Sequence, residues 1–237
     1  MVGQLVNASN ATLVVESAGA RFVYKPMSGE RPLWDFPVDT LFLRERAAFV
    51  LSELLKWDIV PSTTIADGPY GVGSLQTWID AEVDTVDVFE PGAVPADWLT
   101  IVSGLDEDGK PVTLAHADLP RLQQIAVFDA LINNADRKAG HILTSTDGKI
   151  YGIDHGVSFN QDPKLRTVLW GWIGQPIPEG LLLDLTTLSS ELDASELNEL
   201  LDESEMTALR DRLSNLLVTG KMPSPNPSWP SVPWPVF

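Results

Sequence analysis

The sequence has no cysteine, only three histidines and few bases: 16 Lys+Arg against 33 Asp+Glu, a formal net charge of -17 over 237 residues. Without cysteine, disulfides and thiolate catalysis are excluded, and the chain suits a reducing cytoplasm. Without a basic excess the surface repels nucleic acid and anionic bilayers, so neither a nucleic-acid partner nor stable membrane association is expected. No apolar run approaches the ~18–20 residues of a membrane span, and "MVGQLVNASN" carries no secretory signal. No G-x-S-x-G elbow is present, which argues against a serine hydrolase, and no internal repeat is found.

What is present is an ordinary globular composition, 44% apolar and 21% charged, long enough for one large domain or two lobes with a proper core. The charge is uneven. From Asp184 through Asp211 nine acids face only Arg210, a run that reads as a solvated helical face, whereas residues 1–60 carry six bases.

Residues 4–25 alternate apolar and polar around "SAGA", a hairpin pattern. "LFLRERAAFVLSELLKW" predicts a helix from Leu41 to Trp57 with Leu43, Ala47, Val50, Leu51, Leu54 and Leu55 on one stripe. "STTIADGPYGVGSLQTWID" predicts two short strands, and "LDEDGKPVTL" a small hairpin or loop within an otherwise turn-rich 81–119. His116 falls in that segment and reads as a surface or capping residue. "LPRLQQIAVFDALINNA" is the most apolar helix. Residues 160–182 form a Pro/Gly/Trp loop, two helices follow near 183–192 and 194–218, and "DASE" offers a capping box at Asp193 or Ser195. The tail holds six of the 18 prolines and cannot be helical. Strands first and helices later define an α+β chain in two lobes.

Two histidines lie close to acids. "HILTSTDGKIYGID" is two alternating runs around Asp147-Gly148, a dipeptide suited to a type I′ turn. If that pair forms the turn, His141 faces Asp154 across the ribbon, at a Cβ separation of roughly 4.5–5.5 Å, and the two can share a divalent cation. His155 then points to the other side and is structural. "NNAD" brings Asp136 to the same mouth, where a carboxylate orients a nucleophile or takes its proton. The same residues also fit a plainer arrangement, a helix C-cap with a His–Asp hydrogen bond. Lys25 in "VYKP" is either an edge-strand gatekeeper or a cation aimed into a cleft, with Glu45 on the next helix positioned to hold it.

Strand lysine, helix glutamate, "NADRKAGHIL" and "GIDHGVSF" together resemble the protein-kinase-like superfold. The likeness is greatest to its phosphatidylinositol 3-/4-kinase and HipA-like branch and to a small bacterial kinase-like family, over about residues 4–182. The resemblance implies a β-rich N-lobe (1–80), a mainly helical C-lobe (81–220) and a Pro/Trp tail (221–237). It implies that Lys25 holds nucleotide phosphates with Glu45 positioning it. Ser9 and Asn10 would cover the phosphates, and Gln76, Thr77 and Trp78 would read adenine. Asp136 would be catalytic, and His141 and Asp154 would bind metal.

The expected activity is phosphoryl transfer from ATP, with Mg²⁺ or Mn²⁺, to a hydroxyl of a protein, itself included, or of a small soluble molecule. The alternatives are a metal-dependent phosphohydrolase and a catalytically weak nucleotide-binding module. Kinases of this kind generally carry Asn where His141 stands. An imidazole is a softer ligand than an amide oxygen, so Mn²⁺ is expected to be preferred over Mg²⁺. A lipid acceptor is disfavoured by the acidic surface, and "LWGWIGQPIPEG" is either an acceptor-docking loop or aromatic packing.

Overall fold

The structure, a computed structural model, describes residues 3–4, 10–82 and 85–237. In chain order the strands are β1 (Gly3–Gln4), β2 (Leu13–Ser17), β3 (Ala20–Pro26), β4 (Thr63–Gly68), β5 (Gly71–Thr77), β6 (Ala81–Glu82), β7 (Val86–Phe89), β8 (Trp98–Leu105), β9 (Pro111–Ala117), β10 (Ile142–Ser145) and β11 (Ile150–Gly152). The helices are α1 (Leu41–Leu54), α2 (Pro120–Ile132), α3 (Glu179–Glu191), α4 (Leu197–Leu200) and α5 (Glu203–Thr219). Small antiparallel sheets with a few helices make the chain α+β, as its pattern predicts.

The first sheet has the order β1-β2-β3-β5-β4. Its β2–β3 hairpin turns at Ala18 and Gly19, both at positive φ (50° and 80°), the backbone a type I′ turn requires. Opposite Pro26 stands Gly73, where a Cβ would lie 2.3 Å from the Lys25 carbonyl oxygen. Only glycine lets β5 approach β3 so closely. The turn-rich stretch after residue 81 holds a second sheet, β7-β9-β8. Its β8–β9 turn is the "LDEDGKPVTL" hairpin, but the third strand was not foreseen because its alternation is diluted by acids.

α2 is the core. Leu122, Ile125, Ala126, Val127, Phe128, Leu131 and Ile132 are fully buried, so this helix is apolar on nearly every face rather than along one stripe. α1 departs from its expected stripe in the same direction. Leu43 and Leu54 are only half-buried, while Arg44 and Glu45 are buried. Arg44 pairs with Glu205 of α5 and donates from Nε to the Ser158 carbonyl.

The expected helix over 194–218 is broken. Leu201 is extended, so α4 ends and α5 restarts at Asp202. The capping box is therefore Asp202/Glu205 rather than 193–196: Asp202 accepts from the Glu205 amide (2.9 Å) and Glu205 Oε2 from the Asp202 amide (3.0 Å). At the expected cap, Ser195 Oγ instead donates back to the Leu192 carbonyl (2.7 Å).

The β10–β11 hairpin is one residue out of its expected register. Ile142 pairs with Gly152 and Thr144 with Ile150, leaving a three-residue loop closed by Ser145 N to Lys149 O (2.8 Å), with Gly148 at φ 82°. Ser145 and Asp147 side chains bond within the loop and favour this longer turn over the two-residue one. His141 is consequently outside the ladder, at the end of a short 3₁₀ turn.

His116 is fully buried, contrary to the surface reading. It lies in the second half of β9, buried on both faces from Thr113 to Ala117, where its ring is 4.3 Å from that of Trp172. Nδ1–H donates to the Ala117 carbonyl (2.9 Å) and Nε2 accepts from the Gly171 amide (3.0 Å). Both ring nitrogens are thus committed in the neutral form, and burial lowers the imidazole's pKa. A folded-state pKa below the unfolded value means the unfolded chain takes the proton first as pH falls. This contribution to stability is present above the ordinary histidine pKa and lost on acidification. Denaturant midpoints should fall between pH 7.5 and 5, and the fall should shrink in His116→Gln. Gly171→Ala should destabilise independently of pH, because its Cβ would sit 2.5 Å from His116 Nε2 and from Leu99 Cβ.

Candidate active site

A cleft of about 500 Å³ opens beside α1, where β3, the segment leading into α1, the 135–141 loop and the turn after β11 converge. That volume is in the range of small-molecule sites. Lys25, at the end of β3, donates from Nζ to Glu45 of α1 and to Asp154 Oδ1 (2.8 Å). It is therefore no edge gatekeeper. Burial works against its charge, but Asp154 and Glu45 outweigh that and raise its pKa.

Glu45 does two things at once: its other oxygen accepts from the His155 amide (3.0 Å), so it anchors the turn that presents Asp154. Its neighbour Arg44 bolts α1 to α5, which fixes the rotation of α1 and hence the direction of Glu45. Asp154 leaves β11 at φ 59°, a left-handed conformation that turns its carboxylate to the cleft. Burial opposes ionisation there, yet Lys25 and His141 hold its carboxyl well below the usual range.

His141 Nε2 lies 3.4 Å from Asp154 Oδ2. The pair meets as expected, but through the 3₁₀ turn and the left-handed residue rather than through facing ladder positions. Nδ1 is 3.0 Å from the Asp136 carbonyl, so Nδ1 carries the proton and Nε2 presents a lone pair to the carboxylate. Burial pushes the imidazole down to about 4, with Asp154 opposing and Arg137, Lys25 and Lys138 reinforcing. At neutral pH two acceptors therefore face each other, an arrangement that a cation between them relieves. The donor set, one imidazole nitrogen and one carboxylate, is one that a divalent cation could share. Among the described residues no group of three or more His, Cys, Asp or Glu is placed to hold a metal by itself.

Asp136 stands in the same cleft with its amide held by Asn134 Oδ1 (2.9 Å). Burial raises its carboxyl above the ordinary value, against the pull of Lys138 and Arg166. Lys138 Nζ is 3.8 Å from its Oδ2. Asn10 lines the cleft and accepts from the Arg31 amide (2.8 Å); Ser9 lies outside the described residues. Gln76, Thr77 and Trp78 do not line it. Gln76 donates to Thr63 Oγ1 (2.8 Å), and the amides of Thr77 and Trp78 bond to Ser62 and Arg21 carbonyls.

Sequence reasoning missed Arg31, Lys138, Arg166, Trp34 and Trp229, all of which line the cleft. Lys138 had a signal, its place two residues after Asp136; Trp229 had none, because the tail reaches the cleft only through tertiary contacts. Also missed was Arg137, fully buried beneath the loop. Its Nε and Nη2 donate to Asp129, Nη1 to the carbonyls of His141 and Ile153, and Nη2 to His155 Nε2 (2.8 Å). His155 is accordingly a buried neutral acceptor, its pKa driven well down by burial and by Arg137.

The fold and cleft thus define an α+β protein with a strand lysine held between a helix glutamate and a carboxylate–imidazole pair. The chain is 45% identical over 255 residues to Protein Rv2133c of Mycobacterium tuberculosis (strain ATCC 25618 / H37Rv), a match covering 100% of this chain and 91% of that protein. It belongs to the family of Protein Rv2133c. No family model matches it. Among solved structures it is similar to a Helicobacter pylori proinflammatory kinase, CtkA, with a TM-score of 0.46 and 11% identity over 92% of this chain and 90% of that one. Among the described residues no helix is long and apolar enough to cross a membrane.

Asp129→Asn should leave Arg137 buried beside a neutral amide. Breaking a fully buried pair costs about 3–5 kcal/mol, read as a fall in the denaturant midpoint. An unchanged midpoint would mean that the loop does not depend on this ion pair.

Proposed function

We propose that the protein is an ATP- and divalent-metal-dependent phosphotransferase of kinase-like arrangement, acting on a hydroxyl of a protein or a small soluble molecule. The observation that carries this reading is Lys25, shared between Glu45 and Asp154 inside a cleft that also holds His141 and Asp136. A phosphohydrolase needs no such lysine. Residues 1–80 and 81–220 would then be two lobes on either side of the cleft, closed by the tail.

On this reading Lys25 neutralises nucleotide phosphates, and Glu45 keeps it aimed. Asn10 and the adjoining Ser9 would cover the phosphates. His141 and Asp154 would hold Mg²⁺ or Mn²⁺, which supplies charge neutralisation at the β- and γ-phosphates. Asp136 orients the acceptor hydroxyl. The acceptor oxygen bonds to the γ-phosphorus as the bond to the bridging oxygen breaks, ADP leaves with the electron pair, and the hydroxyl proton passes to Asp136. Lys138, beside that carboxylate, offsets charge on the phosphoryl group in flight.

Melting with ATP alone and with Mg²⁺ or Mn²⁺ tests the reading. Ligand at about 100 times its Kd stabilises by about 2.7 kcal/mol, and for a chain of this size that is a shift of roughly 5–10 °C. The shift should require metal in wild type and be lost in Lys25→Met and Asp154→Asn; no shift with any metal would sink the nucleotide reading. Because an imidazole nitrogen favours Mn²⁺ over Mg²⁺, His141→Asn should move the preference toward Mg²⁺. Unchanged metal selectivity in that variant would remove the basis for the Mn²⁺ assignment.

A further inference from the structure

Resting on the phosphotransferase reading, we propose that Arg166 anchors an acceptor subsite for a small hydroxyl compound carrying a phosphate or carboxylate. The chain has 16 bases against 33 acids, yet four of those bases, Lys25, Arg31, Lys138 and Arg166, line this one cleft. Lys25 is occupied by Glu45 and Asp154, and Lys138 stands by Asp136. Neither Arg31 nor Arg166 has a carboxylate within ion-pair distance among the described residues, but Arg31 is exposed whereas Arg166 is tied down by Nε, with terminal nitrogens that donate to nothing there.

Arg166 is nonetheless held rigidly beside the acid that would receive the acceptor's proton. Its amide donates to the Asn134 carbonyl (2.9 Å), its carbonyl accepts from the Arg137 amide (3.0 Å), and its Nε donates to the Ala135 carbonyl (2.5 Å). The two backbone bonds fix the residue, and the Nε bond its guanidinium, against the residues on both sides of Asp136, while among the described residues its two Nη groups stay unspent. A fork pre-set in this way matches the paired oxygens of a carboxylate or phosphate.

The tail completes the subsite. Trp229 packs its ring 5.7 Å from the Arg166 guanidinium carbon, and its own Nε1 is buried without a partner among the described residues. The tail is pinned there by the Ser231 carbonyl, which accepts from the Thr167 amide (3.1 Å) and Trp170 Nε1 (2.9 Å), and by the Val236 carbonyl, which accepts from the Ala139 amide (2.8 Å). On the same side, Lys164 is buried with Asp35 (2.6 Å) and stands over the rings of both Trp34 and Trp229. These straps narrow the cleft, which favours a small molecule over a polypeptide segment. The acidic surface outside repels an acidic peptide further.

The full chain is melted with inorganic phosphate, glycerol 3-phosphate, glycerate, glycerol, an acidic serine peptide and chloride at matched ionic strength, each with and without ADP·Mn²⁺. Phosphate or glycerol 3-phosphate at ten times its Kd should raise Tm by about 3–6 °C beyond chloride, and glycerol should not. The arm with glycerate separates a carboxylate preference from a phosphate one. Arg166→Gln should lose this increment and keep the ADP·Mn²⁺ shift; Arg166→Lys, which retains charge without the fork, should bind the anion more weakly than wild type. No anion increment in wild type, an increment undiminished in the variants, or a larger response to the peptide would each overturn the assignment. Loss of the ADP·Mn²⁺ shift alone would count against the nucleotide reading and leave the anion result standing on the arms without nucleotide.

Discussion

The site depends on a single buried cation. Arg137 has five N–H groups, no access to water, and a place beneath the loop that carries Asp136 and His141. A guanidinium taken out of water is tolerated only if its charge and all its donors are met. Asp129 supplies the charge from α2; the carbonyls of His141 and Ile153 and the ring of His155 take the remaining hydrogens. Satisfying one side chain therefore fixes a helix, a loop and both ends of a hairpin relative to one another. The neutral state of His155 follows from the same demand, because only an unprotonated nitrogen can accept from an arginine.

Around that point the electrostatics are arranged in alternation. Lys25 is held by two acids, one of which faces an imidazole whose proton has been directed away to a backbone carbonyl. Each partner shifts the next: the acids keep Lys25 charged, Lys25 keeps Asp154 ionised, and burial keeps His141 neutral. The result is a cleft with a stable distribution of charge at neutral pH in a protein whose outside is strongly negative.

Much of this was legible in the chain. "SAGA", the two short strands of 62–80 and the apolar α2 follow from periodicity and turn chemistry, and the meeting of Lys25 with Glu45 follows from a strand leading into the next helix. The His141–Asp154 pair was anticipated for the wrong reason. Alternation suggested ladder partners, whereas serine and aspartate side chains lengthened the turn and a left-handed Asp154 restored the contact. His116 and Arg137 were misjudged or missed because polar residues are assigned to the surface by default. Only tertiary packing reveals that every polar atom on them has a partner. The tail could not be placed at all, since proline-rich segments have no period from which to infer a face.

The Arg44–Glu205 pair has a consequence for how such a chain can diverge. Its members lie 161 residues apart and are both buried. Replacing either alone strands the other's charge, whereas replacing both by apolar residues of similar volume is often tolerated. Drift at these two positions is therefore closed to single steps and open only to paired ones. Glu205 is constrained twice over, because the same carboxylate caps α5. Two distant sites, neither in contact with a substrate, thus behave as one unit of inheritance.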